Sequence, residues 1–157
     1  MMTKTMLGLD RKKVAELNLS LNELLANFQI YYQNLRGLHW NIKGKSFFEL
    51  HVKFEELYTD SQEKIDMIAE RILTLEGTPL HTFSDYVELA KVPVGKNISD
   101  DIESVDLIVK SLTRLLEIER EILIQSEEAV DEGTNAMMSD FIAEQEKTVL
   151  MMKAWLS

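Results

Sequence analysis

LHWNIKGKSFFELH, residues 38–51, carries two of the three histidines in the chain, one on each side of a turn-like NIKGK. The turn centres near Lys45, so His39 and His51 stand six residues to either side of it. Upstream, Val14, Leu17, Leu21, Leu24, Phe28, Tyr31 and Leu35 recur every three or four residues, the spacing of one helix face. Downstream, Phe47, Leu50, Phe54, Leu57, Ile65, Ile68, Ile72 and Leu75 do the same until Gly77 and Pro79 supply a stop. The stretch therefore reads as the bend of an antiparallel helical hairpin, which sets the two imidazoles at one level, able to face each other. Imidazole is a common ligand for iron, zinc and copper. For two histidines alone, rings merely hydrogen-bonded near a helix end are the preferred reading. The pair alone decides nothing.

Beyond this hairpin the pattern predicts two more long helices. Ser99-Asp100 offers an N-cap for the first, which carries Val105, Ile108, Leu112, Leu115 and Ile122. Gly133 breaks the pattern, and Thr134 can cap the next helix, with Met138, Phe141, Gln145, Val149, Met152 and Leu156. The long connection 77–98 contains one short helical piece, SDYVELA. Two tight hairpins joined by a long crossover predict an all-α, ferritin-like four-helix bundle with a short extra helix, one domain over 1–157. There is no internal repeat or low-complexity segment.

Composition agrees. Six glycines and two prolines in 157 residues favour helices over a turn-rich β fold. Acidic side chains outnumber basic ones 27 to 17, a net charge of -10, which repels nucleic acid and anionic membrane and attracts cations. The absence of cysteine excludes disulfides and thiolate metal sites. MMTKTMLGLDRKK lacks the apolar core of a signal peptide, and no run reaches the ~18 apolar residues of a membrane span. A cytoplasmic location is expected.

The carboxylates sharpen the reading of the histidines. At ~100° per residue, His51, Glu55, Tyr58, Gln62, Asp66 and Glu70 fall on one stripe, about a quarter turn from the face of Phe54, Ile65, Ile68 and Ile72. Most charged stripes are solvated faces, but Tyr58, Ala69 and His51 are odd choices for solvation alone. His51 and Asp66 are fifteen residues apart, about 22 Å on a straight helix, too far to share an ion within one copy. They can share one if a second copy of the helix crosses antiparallel, with the two-fold near Tyr58. A two-fold dimer is the commonest oligomer. Each dimer would hold two equivalent centres, two histidines from one chain and Asp66 with Glu70 from the other. Mixed nitrogen and oxygen donors suit Fe(II), Mn(II) or Zn(II). The intrachain di-iron alternative needs Glu-x-x-His on two helices, and no Glu-x-x-His occurs.

HWNIKGKSFFELHVKFEELY followed by DMIAER resembles the signature of the Dps family, the small ferritins of bacteria and archaea. The resemblance runs from the first helix through EQEK. It implies a homo-dodecameric shell around a mineral cavity, with ferroxidase centres at the two-fold interfaces. It also implies iron as cofactor and substrate, and Fe(II) oxidation by hydrogen peroxide in preference to dioxygen. Carried onto this sequence, the ligands are His39 and His51 from one subunit and Asp66 and Glu70 from its neighbour. Glu55 matches a position that is often Asp, as a weaker or water-mediated ligand. Trp40 matches a Trp beside the centre whose ring can intercept a stray radical; it can also simply pack the hairpin.

Glu127, Glu128, Asp131 and Glu132, with Asp140 and Glu144, resemble the acidic junction that lines three-fold pores admitting Fe(II). Asp131 and Asp140 match pore carboxylates, while Ala136 stands where many members have another Asp. Several members of the family bind DNA through a long, lysine-rich terminal tail; here Lys4, Arg11, Lys12 and Lys13 are few, so strong DNA binding is not expected. Leu150 replaces a common Trp and reads as packing. His81 reads as a surface histidine, and Met137, Met138, Met151 and Met152 as core filling. A DNA-compacting protein without enzymatic activity is the alternative function, and a purely structural bundle a third.

Overall fold

The computed structural model describes residues 3–157. Five helices follow in order: α1 (Arg11–Asn41), α2 (Phe47–Thr74), α3 (Phe83–Leu89), α4 (Asp101–Glu128) and α5 (Glu132–Leu156). Among the described residues the only β pairing is an isolated bridge between Lys4 and Asp10. Asp10 starts α1 by accepting the Lys13 amide at 3.0 Å, and Asp100 starts α4 by accepting the Glu103 amide at 2.9 Å. Both satisfy donors that the first helical turn leaves open.

Contacts between helix ends fix the topology. The Lys43 amide donates to Ser99 O, and Lys13 Nζ donates to Glu128 O, so α1 and α4 run antiparallel. Trp155 Nε1 faces Glu49 at 3.4 Å while Arg71 reaches Asp131 at 2.6 Å, so α2 and α5 are antiparallel too. The crossover thus makes α2 and α4 parallel, as the long connection predicts. Leu17, Leu21, Leu24, Phe28, Leu35, Phe54, Ile68, Ile72, Leu115 and Ile122 fill the interior. Phe28 and Phe141 meet edge to face across it at 6.1 Å.

α1 is the most enclosed helix, since even consecutive residues Leu24, Leu25, Ala26, Asn27 and Phe28 are buried. Its polar side is a row of asparagines that holds the crossover. Asn18 and Asn22 bond Leu75 O and Thr78 O at 3.1 Å each. Asn27 Oδ1 accepts the Lys91 and Val92 amides at 2.8 and 2.9 Å, and Asn34 bridges Pro93 O and the Gly95 amide. Irregular backbone against a core needs such partners. Gly77 is required because a Cβ there would lie 2.5 Å from Asn18 Nδ2.

The corner between α4 and α5 differs from the sequence reading. Gly133 does not break the chain and Thr134 does not cap it; both lie inside the first turn of α5, and Asp131 is the N-cap. α4 ends in a Schellman turn, with the Val130 amide on Glu127 O and the Asp131 amide on Ser126 O. That turn puts Val130 at φ 56, a left-handed conformation that β-branched residues resist. Val130 is 81% exposed, so its side chain contributes little packing. Val130→Gly should therefore stabilise the fold by about 1 kcal/mol in guanidine unfolding. An unchanged or lower midpoint would show that the corner holds Val130 without strain.

Candidate metal centre

His39 lies in the last turn of α1 and His51 in the second turn of α2, brought level by the bend at 42–46. Their rings stack at 3.8 Å between centroids and 13° between planes. His39 Nδ1 is 2.6 Å from His51 O, and His51 Nδ1 is 2.8 Å from His39 O. Only a protonated Nδ1 can donate to a carbonyl, so each neutral ring keeps its lone pair on Nε2. Phe47 stacks on the other side of His51 at 4.8 Å, and Tyr58 meets His39 edge-on at 5.4 Å. The imidazoles are thus fixed in tautomer and orientation by the hairpin itself, the kind of support that ligating histidines need. The expectation of a facing pair and that of rings hydrogen-bonded near helix ends are both met.

Glu55, one turn beyond His51, places Oε1 3.6 Å from His39 Nε2 and stays 59% exposed. Asp66 and Glu70 lie farther along α2, exposed and one turn apart. The hydrogen bond and charge of the neighbouring Asp66 raise the Glu70 carboxyl above its ordinary value. A shallow groove lined by Thr59, Gln62, Asp66 and Ala69 runs beside them. Among the described residues no three His, Asp or Glu side chains of one chain converge tightly enough to hold an ion. The imidazole pair at the α1–α2 bend and the carboxylate pair farther along α2 therefore stand apart within one chain. Trp40 is 59% exposed, with the Arg36 guanidinium 5.0 Å over its ring.

The expected pore residues separate. Asp131 is only 2% exposed; it accepts from Arg71 at 2.6 Å and caps α5 through Thr134. Its oxygens are committed inside the fold, so it is a buried cap in this chain and does not present a free carboxylate to a passing ion. Asp140 is exposed. Glu144 is exposed but paired at 2.7 Å with Lys64, which also binds Asp60 at 2.6 Å. The sequence reading missed Lys64, although a lysine one turn before Ile68 on a core face was a visible signal. It also missed Glu119, fully buried and bonded to Gln145 at 2.8 Å. His81 is exposed beside Pro79 O, as expected.

This bundle, with its reciprocal histidine hairpin, is ferritin-like: the family described as Ferritin-like domain matches residues 18–157. The chain is 40% identical over 148 residues to the DNA protection during starvation protein of Porphyromonas gingivalis, covering 94% of this chain and 93% of the relative. A Dps protein from Vibrio cholerae O1, described as a member of the ferritin-like diiron-carboxylate superfamily, superposes with a TM-score of 0.98 at 50% identity. That match covers 100% of this chain and 99% of the other. A Dps protein from Bacillus brevis gives a TM-score of 0.90 at 34% identity, over 93% and 98% of the two chains. The chain belongs to the Dps family.

Proposed function

We propose that the protein oxidises Fe(II) at centres shared between two copies of the chain and stores the ferric product inside a dodecameric shell in the cytoplasm. One observation carries this reading. The two imidazoles are locked with Nε2 free, while their complementary carboxylates, Asp66 and Glu70, lie farther along the helix of His51, at a distance no single copy can close. An antiparallel second copy brings His39 and His51 of each chain to Asp66 and Glu70 of the other. Glu55, already beside His39, is a weaker or water-mediated ligand. Family membership supports iron as the metal.

Hydrogen peroxide is the preferred oxidant in this reading. It takes two electrons, one from each of two Fe(II) ions, and yields two hydroxide ions and two Fe(III). Delivering both electrons at one centre avoids release of hydroxyl radical, and the hard carboxylate donors favour the Fe(III) product. Trp40, next to His39 in sequence and half exposed, is an oxidisable ring for a stray radical. Fe(II) is admitted past the exposed carboxylates at the α4–α5 corner, Glu127, Glu128, Glu132 and Asp140, with Glu144 partly neutralised by Lys64. DNA compaction finds little support: Arg11 is paired with Glu76 at 3.0 Å and Lys13 Nζ is on Glu128 O at 3.1 Å.

Light scattering should find an assembly of about 220 kDa, twelve chains of 18.1 kDa. Anaerobic Fe(II) in that assembly should oxidise faster with added peroxide than with air alone. The same shells should not retard duplex DNA at ~150 mM salt, because few free cations face phosphate. A stable monomer at micromolar concentration, or no catalysed oxidation by either oxidant, would overturn the proposal.

A further inference from the structure

We propose that Arg71 is a positioning residue for the carboxylate half of the iron centre, a role that rests on the shared-centre reading above. Arg71 follows Glu70 directly, and α2 ends three residues later at Thr74. The last four carbonyls of a helix lack intrahelical partners, and helix ends fray first. Here the final turn is pinned from outside. Arg71 Nε donates to Thr134 Oγ1 at 2.8 Å, and its Nη2 donates to Asp131 Oδ1 at 2.6 Å. Thr134 and Asp131 are 0% and 2% exposed, so the anchor lies in the rigid start of α5. Thr134 also donates its amide and hydroxyl to Asp131, which leaves the acceptor little freedom to turn.

Gly133 completes the clamp. An added Cβ would lie 2.7 and 2.8 Å from the two terminal guanidinium nitrogens, so the guanidinium occupies the space a side chain would take. Asp66 and Glu70, by contrast, project into solvent. Their direction is set by the rotation of α2 and by little else. A rotation of about 10° at a side-chain radius of about 6 Å carries a carboxylate oxygen about 1 Å. Ligand distances tolerate only about 0.2 Å. A two-point clamp on the adjacent residue is therefore placed to hold the pair in register with the partner's imidazoles, and a flexible point charge would not replace it.

The test is anaerobic titration of assembled shells with Co(II) alone, whose visible absorption reports its ligand set. Arg71→Met removes both bonds. Gly133→Ala leaves Arg71, Asp131 and the ligands unchanged but displaces the guanidinium. Each should weaken Co(II) binding about 10-fold or more, the usual cost of losing support behind a ligand. The double variant should be no worse than Arg71→Met, and Arg71→Lys should recover only part of the affinity. Val130→Gly, which alters stability at the same corner, should leave Co(II) affinity unchanged; a purely structural role for Arg71 would show altered unfolding with wild-type affinity. Wild-type affinity in assembled Gly133→Ala and Arg71→Lys shells overturns the inference, even if Arg71→Met fails to fold. Wild-type shells that bind no Co(II) would overturn the shared-centre reading itself, and this inference with it.

Discussion

Shells co-assembled from His51→Ala and Asp66→Ala subunits should oxidise Fe(II) several times faster than shells of either variant alone. Each single variant removes a ligand from every centre and should slow peroxide-driven oxidation by about 10- to 100-fold or more. Neither change touches the main core: Asp66 is exposed, and His51 is partly exposed at the bend. In a two-fold pair made of one variant each, the lesions fall unequally. One centre takes its histidines from the His51→Ala chain and its carboxylates from the Asp66→Ala chain, so it loses both. The other keeps all four ligands. Random pairing makes half the pairs mixed, so about a quarter of all centres should be intact. Variant shells assembled separately and then combined without subunit exchange should stay slow. Mixed assemblies that form normally yet show no recovery would place each centre within a single chain, because an intrachain site cannot be rescued this way.

The parts of this molecule that were legible in the sequence are those written at helical spacing. Leu17, Leu21, Leu24 and Phe28 repeat every three or four residues, and the helix they mark is the one observed. The histidine pair was legible for the same reason: a short bend fixes the register of the two helices, so equal distance from Lys45 means equal height. The Asn27 and Asn34 bonds to the crossover span about sixty residues of sequence and leave no local trace. The same holds for Arg71 and Asp131. Acids near a helix start read equally well as a charged rim or as a cap, and only the tertiary partner decides between them. Asp131 reads as part of the rim, yet the Thr134 amide and the Arg71 guanidinium 2.6 Å away make it a buried cap. Gly133 looked like a breaker because a glycine needed to make room for a distant side chain looks like one needed for a turn.

Glu119 leads to the second large effect, on stability. It stands between Leu115 and Ile122 on the buried face of α4, fully enclosed, with Gln145 donating to Oε2 and no partner for Oε1. Gln145 Oε1 is also unpartnered. Burial lifts the Glu119 carboxyl from the ordinary 4.5 to about 8, only partly offset by the Gln145 hydrogen bond and the charges of Lys64 and Arg120. The folded chain therefore holds a proton that the unfolded chain gives up above pH 4.5. Its contribution is fully present below that pH and is lost as pH rises toward 8, at up to about 1.4 kcal/mol per pH unit, a total on the order of 3–5 kcal/mol. Glu119→Gln has nearly the same shape, never ionises, and brings an amide that can donate to Gln145 Oε1. The variant should match the wild type near pH 5 and exceed it by several kcal/mol near pH 8.5, measured as the difference in guanidine unfolding at the two values. Taking that difference cancels the exposed carboxylates, which titrate identically in both proteins. A difference that stays constant from pH 5 to 8.5 would mean that Glu119 is ionised throughout, with Lys64 as a working counter-ion in place of a proton.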